Sequence, residues 1–169
     1  MVSSSKFYSA TVKLGIKVII EENNWKLYID IVLEIDKNEK RNKKYLKGGK
    51  NWLQEKGLTD KTINKHINNT ALFINDYLNY YDVVKAEERM NEVITFVTTW
   101  FTEKCMWASR NKVKDTVVIL RKFYQYMCEN NYAFKKDYEE MCSSIKDNID
   151  TILEEVYSFV SNDYDGMSW

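Results

Sequence analysis

The chain has 169 residues, which is enough for one well-buried core and excludes two full-sized domains. Hydrophobic residues make up 44% and charged residues 30%, a balance that excludes an intrinsically disordered chain. The formal net charge is zero, but the charges are separated along the chain. Lys and Arg dominate residues 37–66 and 104–122, whereas Asp and Glu dominate residues 137–169.

The first predicted element is a β-hairpin within residues 1–36. Apolar residues alternate with other residues through most of positions 11–36, and a period of two is typical of strands. The polar run at 21–24 would form the turn between the two strands. A lone ribbon is only marginally stable, so its apolar face has to cover the helices or pair with a second copy. A helix remains the alternative interpretation of this stretch.

A helical period begins at residue 38 and continues to the acidic end of the chain. The absence of proline and the presence of only five glycines also favour long helices. Gly57 is expected to end one helix, and Thr59 and Ser109 are expected to cap the starts of two others. Gly48 and Gly49 mark a weak point in the first helix. The predicted helices cover residues 40–54, 59–81, 86–106, 110–129 and 135–162.

Burial follows from the positions of apolar residues on these helices. The helix over 86–106 is apolar on most faces, including Met106, and is expected to be the most buried element. His66 lies on a polar stretch and is expected to be exposed. Five aromatic residues are expected to lie in the core rather than to stack on bases: Phe73, Tyr77, Phe123, Tyr124 and Tyr126.

The cysteines and the single histidine do not match a metal or disulfide pattern. Cys105, Cys128 and Cys142 are odd in number and far apart, and His66 alone cannot complete a Cys/His ligand set. We therefore expect free thiols, no metal and no cofactor. The amino-terminal residues lack the apolar segment of a signal peptide, and no apolar run is long enough to span a membrane, so a cytoplasmic location is expected.

Two segments carry a resemblance to a known family, GLTDKTINKHINNTALFINDYL from Gly57 and SRNKVKDTVVILRKFYQYM from Ser109. The region 44–134 resembles the SAM-like core-binding domain that precedes the catalytic domain of tyrosine recombinases and phage integrases. The resemblance implies a helical bundle that grips duplex DNA. The matching residues are Leu58, Thr59, Thr62, Lys65, Phe73, Leu78, Ser109, Val113, Lys114, Leu120, Arg121, Phe123, Tyr124 and Tyr126.

The expected fold is therefore mainly α, a SAM-like bundle of four to five helices with an amino-terminal β-hairpin. Residues 1–36 would form the hairpin appendage and 37–134 the core-binding-like domain. Residues 135–169 would form an acidic helix packed on the same core. The resembled family catalyses with an Arg, a His-x-x-Arg pair and a Tyr, but His66 here precedes Ile-Asn-Asn and about thirty-five residues follow the matched region. We expect no enzyme activity.

The expected ligand is duplex DNA, contacted through basic helix starts. Cations beside free backbone amides at a helix amino terminus attract phosphate, and residues four apart share a helix face. If the starts at Thr59 and Ser109 converge, they form one phosphate-binding surface beside the basic run at 40–50. The candidate binding residues are Lys43, Lys44, Lys47, Thr59, Lys61, Thr62, Lys65, Ser109, Arg110, Lys112, Lys114 and Arg121.

A protein-interaction scaffold without nucleic-acid binding is the alternative function. The hairpin could form a homo-oligomer, and the acidic last helix could dock on a basic surface of this chain or of a partner. If that helix covers residues 40–65, it would compete with DNA for the same cations. Solvated lysine faces without a ligand are also common on helices, so the basic runs alone do not decide between these alternatives.

Overall fold

A computed structural model describes residues 25–165, with side chains described as far as Val156. This part of the chain is mainly helical, which confirms the predicted class. A short 3-10 turn at Ala86–Glu88 precedes the third of five helices. The helices are α1 (Trp25–Glu55), α2 (Asp60–Ala71, continued by π-helical Leu72–Tyr77), α3 (Glu92–Thr95, π-helical Phe96–Trp100 and Phe101–Lys104), α4 (Arg110–Glu129) and α5 (Lys135–Asp165).

The second strand of the predicted hairpin is wrong, because residues 25–36 form the first turns of α1. The first predicted strand lies outside the described residues. Within 25–36 the more buried positions recur at helical spacing, with Tyr28 buried and Ile31, Val32 and Ile35 half-buried. The apolar residues surround the helix so completely that the alternating subset resembles a strand. The helical alternative is correct for this segment.

Helix α1 continues without a break through Gly48 and Gly49, where a weak point was predicted. A Cβ atom at Gly48 would overlap the hydroxyl of Tyr126, and one at Gly49 would lie 3.6 Å from the same ring. The two glycines therefore allow α1 to approach α4 closely. Packing across this contact outweighs the low helix propensity of glycine.

The predicted end of α1 and the predicted starts of α2 and α4 are confirmed by their caps. Gly57 adopts a positive φ of 77° and ends α1, and the amide of Leu58 donates to the carbonyl of Leu53 at 3.2 Å. Thr59 accepts a hydrogen bond from the amide of Thr62, and Ser109 caps α4 in the same manner. Thr59 and Ser109 are therefore the two helix starts that the sequence predicts.

The core lies where α3 meets α2 and α4, and α3 and α4 bury about the same share of their residues, so the prediction that α3 is the most buried helix is not confirmed. Phe96 and Val97 are fully buried. The two π-helical segments face each other, with the ring of Phe96 5.1 Å from both Phe73 and Tyr77. The five aromatic residues predicted for the core are all buried, whereas Met106 is 99% exposed and does not belong to α3.

Asparagine side chains fix the middle of α1 to the rest of the bundle. Asn42 donates to the carbonyl of Ile74 at 2.8 Å, in the π-helical continuation of α2. One turn earlier, Asn38 donates to the carbonyl of Val84 at 2.7 Å and to Asn79. The bond to Val84 satisfies a backbone acceptor in the irregular segment after α2.

Helix α5 packs mainly against α4 and α3. Its apolar face contributes buried side chains to the shared core, among them Met141, Ile145 and Leu153. The described part of α5 thus belongs to the same hydrophobic cluster as α3 and α4. None of the described helices is both long enough and apolar enough to cross a membrane.

Candidate nucleic-acid interface

The predicted cations all lie at the surface. Lys61 and Lys65 are exposed on one face of α2, and Arg110 and Lys114 are exposed on one face of α4. Among the described residues, no ion pair is found for Lys61, Arg110 or Lys114. Their charges are therefore available to an anionic ligand. The other predicted cations that are exposed are Lys43, Lys44, Lys47, Lys112 and Arg121.

An ion pair joins α2 to α4. The ammonium of Lys65 lies 2.5 Å from a carboxylate oxygen of Asp115, and both side chains are nearly half exposed. Asp115 follows Lys114 in the chain but lies about 100° further round α4, so the bridge links the two helices without joining the face that carries Arg110 and Lys114. An exposed pair of this kind stabilises a fold by only about 0–1 kcal/mol. Lys65 can therefore exchange Asp115 for a phosphate at little cost.

The described polar contacts between α2 and α4 join Lys65 and Asn69 to the second turn of α4. Lys65 pairs with Asp115, and the hydroxyl of Thr116 donates to the amide oxygen of Asn69 at 3.3 Å. Thr59 and Ser109 each precede the paired residue of their helix by six positions, about 9 Å along the helix axis. The convergence of the two capped starts on one phosphate stays a prediction.

The cations of α2 and α4 form two groups. The α4 group contains Arg110, Lys112 and Lys114, and no acidic residue lies in the first turn of α4. The α2 group contains Lys61, beside Asp60, and Lys65, which pairs with Asp115. Thr59 and Thr62 at the α2 start are exposed but hydrogen-bond to each other at 3.0 Å.

The basic run of α1 presents a separate stripe. Lys43, Lys44 and Lys47 are exposed, while Asn42 and Tyr45 between them are buried against the bundle. This amphipathic pattern explains why the basic run forms part of a stable helix. The lysines extend outward from the face of α1 that does not contact the core.

His66 is buried rather than exposed as predicted, with 7% of its surface accessible. It lines the junction of α1, α2 and α4 together with Ile119 and Lys122. Burial, followed by the charges of Lys122 and Lys65, lowers the pKa of its imidazole below the usual value of 6.5. His66 is therefore held neutral near pH 7 and contributes packing to the underside of the cationic surface.

The acidic face of α5 forms its nearest ion pairs within its own helix. Lys135 lies 3.5 Å from Glu139, and Lys136 lies 3.6 Å from Glu140. Since α5 packs mainly against α3 and α4, its described contacts do not place it as a cover over the α1 lysines. The expected competition between this helix and DNA therefore lacks structural support up to Val156.

The turn between α3 and α4 holds two residues that the sequence did not identify as binding candidates. Met106 is 99% exposed and Trp107 is 61% exposed, directly before the capped start of α4. The sequence pattern predicts Met106 in a buried helix and gives no periodic signal at Trp107. The available signal was a single Trp between Lys104 and Arg110.

Neither a metal centre nor a family assignment emerges from the remaining observations. Within the described part of the chain, no three His, Cys, Asp or Glu side chains converge as metal ligands, and the three cysteines are free thiols. Comparison with known proteins returns no matching family profile, no matching curated protein and no matching solved structure.

Proposed function

We propose that this chain is a noncatalytic DNA-binding module that contacts the duplex backbone through exposed cations of α2 and α4. The observation that carries the proposal is the Lys65–Asp115 bridge, which links the two helices that bear the exposed cations. Lys61, Arg110 and Lys114 flank the bridge, exposed and without described ion pairs. Such a surface supplies several phosphate contacts at once, the main source of sequence-independent affinity.

The resemblance of residues 44–134 to the recombinase core-binding domain supports the same proposal. The two segments that carry the resemblance form α2 and α4, the helices that bear the cationic surface. Contacts from these cations to phosphates require no base-specific recognition.

The proposal is tested with a random-sequence duplex of 20 base pairs, by fluorescence anisotropy at low and at physiological salt. Lys61→Glu combined with Lys114→Glu should weaken binding strongly while the thermal unfolding midpoint stays unchanged. The matched control is Lys26→Glu with Lys146→Glu, which changes the net charge equally at exposed sites on α1 and α5. Absence of duplex binding by the wild-type chain even at low salt would defeat the proposal.

A protein-interaction scaffold is the second candidate, favoured by one specific observation. The first turns of α1 expose large apolar side chains, with Leu27 57% and Leu33 51% accessible, alongside Trp25 and Ile29. Large exposed apolar patches mark association surfaces. If this patch pairs two copies, sedimentation should show a dimer that Leu27→Glu with Leu33→Glu dissociates. A monomer at all accessible concentrations would remove homo-oligomerisation from this alternative.

A further inference from the structure

The turn at Cys105–Ala108 exposes two apolar side chains to solvent. Cys105 and Ala108 are buried, and the amide of Ala108 donates to the carbonyl of Cys105 at 2.7 Å. The amide of Cys105 in turn donates to the carbonyl of Phe101, at the end of α3. Both ends of the turn are thus fixed to the core. Met106 and Trp107 at its tip are exposed by this geometry rather than by fraying.

The exposure of Trp107 is unusual for its size. Burying a Trp side chain removes a large apolar area from water, and Trp is enriched at interfaces where one side of the ring is covered by a partner. Among the residues that the structure describes, no hydrogen bond and no ring contact is found for Trp107. Its 61% exposure therefore leaves a ring face available to another molecule.

Charge around the turn selects the class of that molecule. Residues 103–114 contain four cations, Lys104, Arg110, Lys112 and Lys114, against the single acid Glu103. Arg110 follows Trp107 by three residues, so their Cα atoms are at most about 11 Å apart. An exposed indole flanked by exposed cations matches a nucleotide, whose base stacks on an aromatic ring while its phosphate meets a cation.

We infer that Trp107 stacks on an unpaired base, so that the chain prefers a duplex with a single-stranded overhang over a blunt duplex. This inference rests on the proposed function, because the α2 and α4 cations hold the duplex portion. Bases within a duplex are already stacked and cannot present a face to the indole. A base in an overhang can do so, and Met106 adds apolar contact beside it.

The experiment compares three fluorescein-labelled DNA probes at 50 mM salt: a blunt duplex of 20 base pairs, the same duplex with a six-nucleotide 3′ overhang, and the single strand alone. The wild-type chain should bind an overhang duplex about 5- to 100-fold more tightly than the blunt duplex. Trp107→Ala should remove this advantage without changing blunt-duplex affinity, and Trp107→Phe should keep most of it.

Tyr81→Ala is the matched control, since Tyr81 is 72% exposed and precedes the acidic Asp82. It should leave all three affinities unchanged. An overhang advantage that persists in Trp107→Ala, or equal affinity of the wild type for blunt and overhang duplexes, would overturn the inference while the proposed function stands. Failure of every probe to bind would overturn both. If the turn binds a protein partner instead of DNA, Trp107→Ala should leave the affinity for every DNA probe unchanged.

Discussion

The starts of α2 and α4 are built alike but differ as binding surfaces. Each begins with a hydroxyl cap and carries two cations four residues apart on an exposed face. At the α2 start, however, Asp60 occupies the first turn and Lys65 is paired with Asp115. At the α4 start, no acid lies in the first turn, and an exposed Trp precedes the cap.

The difference shows that a capped helix start with basic residues is primarily a feature of the fold and does not by itself make an anion-binding site. The caps end and begin helices in the same way at both places, whether or not the charges nearby are balanced. The acidic neighbours decide which start can hold an anion, Asp60 within α2 and Asp115 from α4. On this comparison, the α4 start should dominate binding of nucleic acid, and the α2 start should contribute less.

The largest expected effect is the loss of affinity on reversing charge at the α4 start. Arg110→Glu with Lys114→Glu should weaken duplex binding by on the order of 100-fold at low salt, because attraction to phosphate becomes repulsion. The equivalent pair on α2, Lys61→Glu with Lys65→Glu, should cost roughly tenfold. Anisotropy titrations measure both. Equal losses of affinity would contradict the expectation that the α4 start dominates binding.

Removal of the caps should affect stability equally at the two starts. Thr59→Ala and Ser109→Ala each remove a side-chain acceptor for a helix amide, at 3.4 Å and 3.3 Å respectively. Each should lower the free energy of unfolding by about 1 kcal/mol in chemical denaturation. A much larger loss at one site would mean that its hydroxyl does more than cap the helix.

A smaller effect is expected from freeing Lys65. Asp115→Asn removes the carboxylate that holds the Lys65 ammonium and should raise duplex affinity about two- to fivefold, since one positive charge is released and one negative charge is lost. The fold should lose at most about 1 kcal/mol of stability. Unchanged affinity would show that Lys65 does not face the ligand.

The smallest expected effect is a pH dependence of stability from His66. Because its pKa is lowered in the folded state, the unfolded chain binds the proton more tightly. The contribution of His66 to the free energy of unfolding should therefore be constant above about pH 6.5. It should decrease as the pH falls below that value. His66→Gln should flatten this decrease in denaturation series between pH 7.5 and 5. An identical decrease in the variant would assign it to other groups.

Much of the bundle could be predicted because its signals are local. The caps at Thr59 and Ser109, the positive φ at Gly57 and the period of α4 are all set by neighbouring residues. The first turns of α1 were predicted as a strand because apolar residues surround the helix there. Spacings of two and of three to four therefore occur together.

The site was predicted only in part because its decisive features are tertiary. Nothing in the order of residues indicates that Asp115 reaches Lys65, or that Tyr126 requires the glycines of α1. The burial of His66 likewise depends on how α4 crosses α2. The exposure of Trp107 follows from the burial of Cys105 and Ala108, which no periodic pattern reveals.

The salt dependence of duplex affinity tests the central claim most directly. Titrations between 50 and 300 mM salt should be made for the wild type and for Arg110→Gln with Lys114→Gln, a change that removes the charges without adding repulsion. If both side chains contact phosphates, the slope of log affinity against log salt should become shallower by about 1.8. Parallel lines for the two proteins would contradict the assignment of the α4 start as the DNA contact.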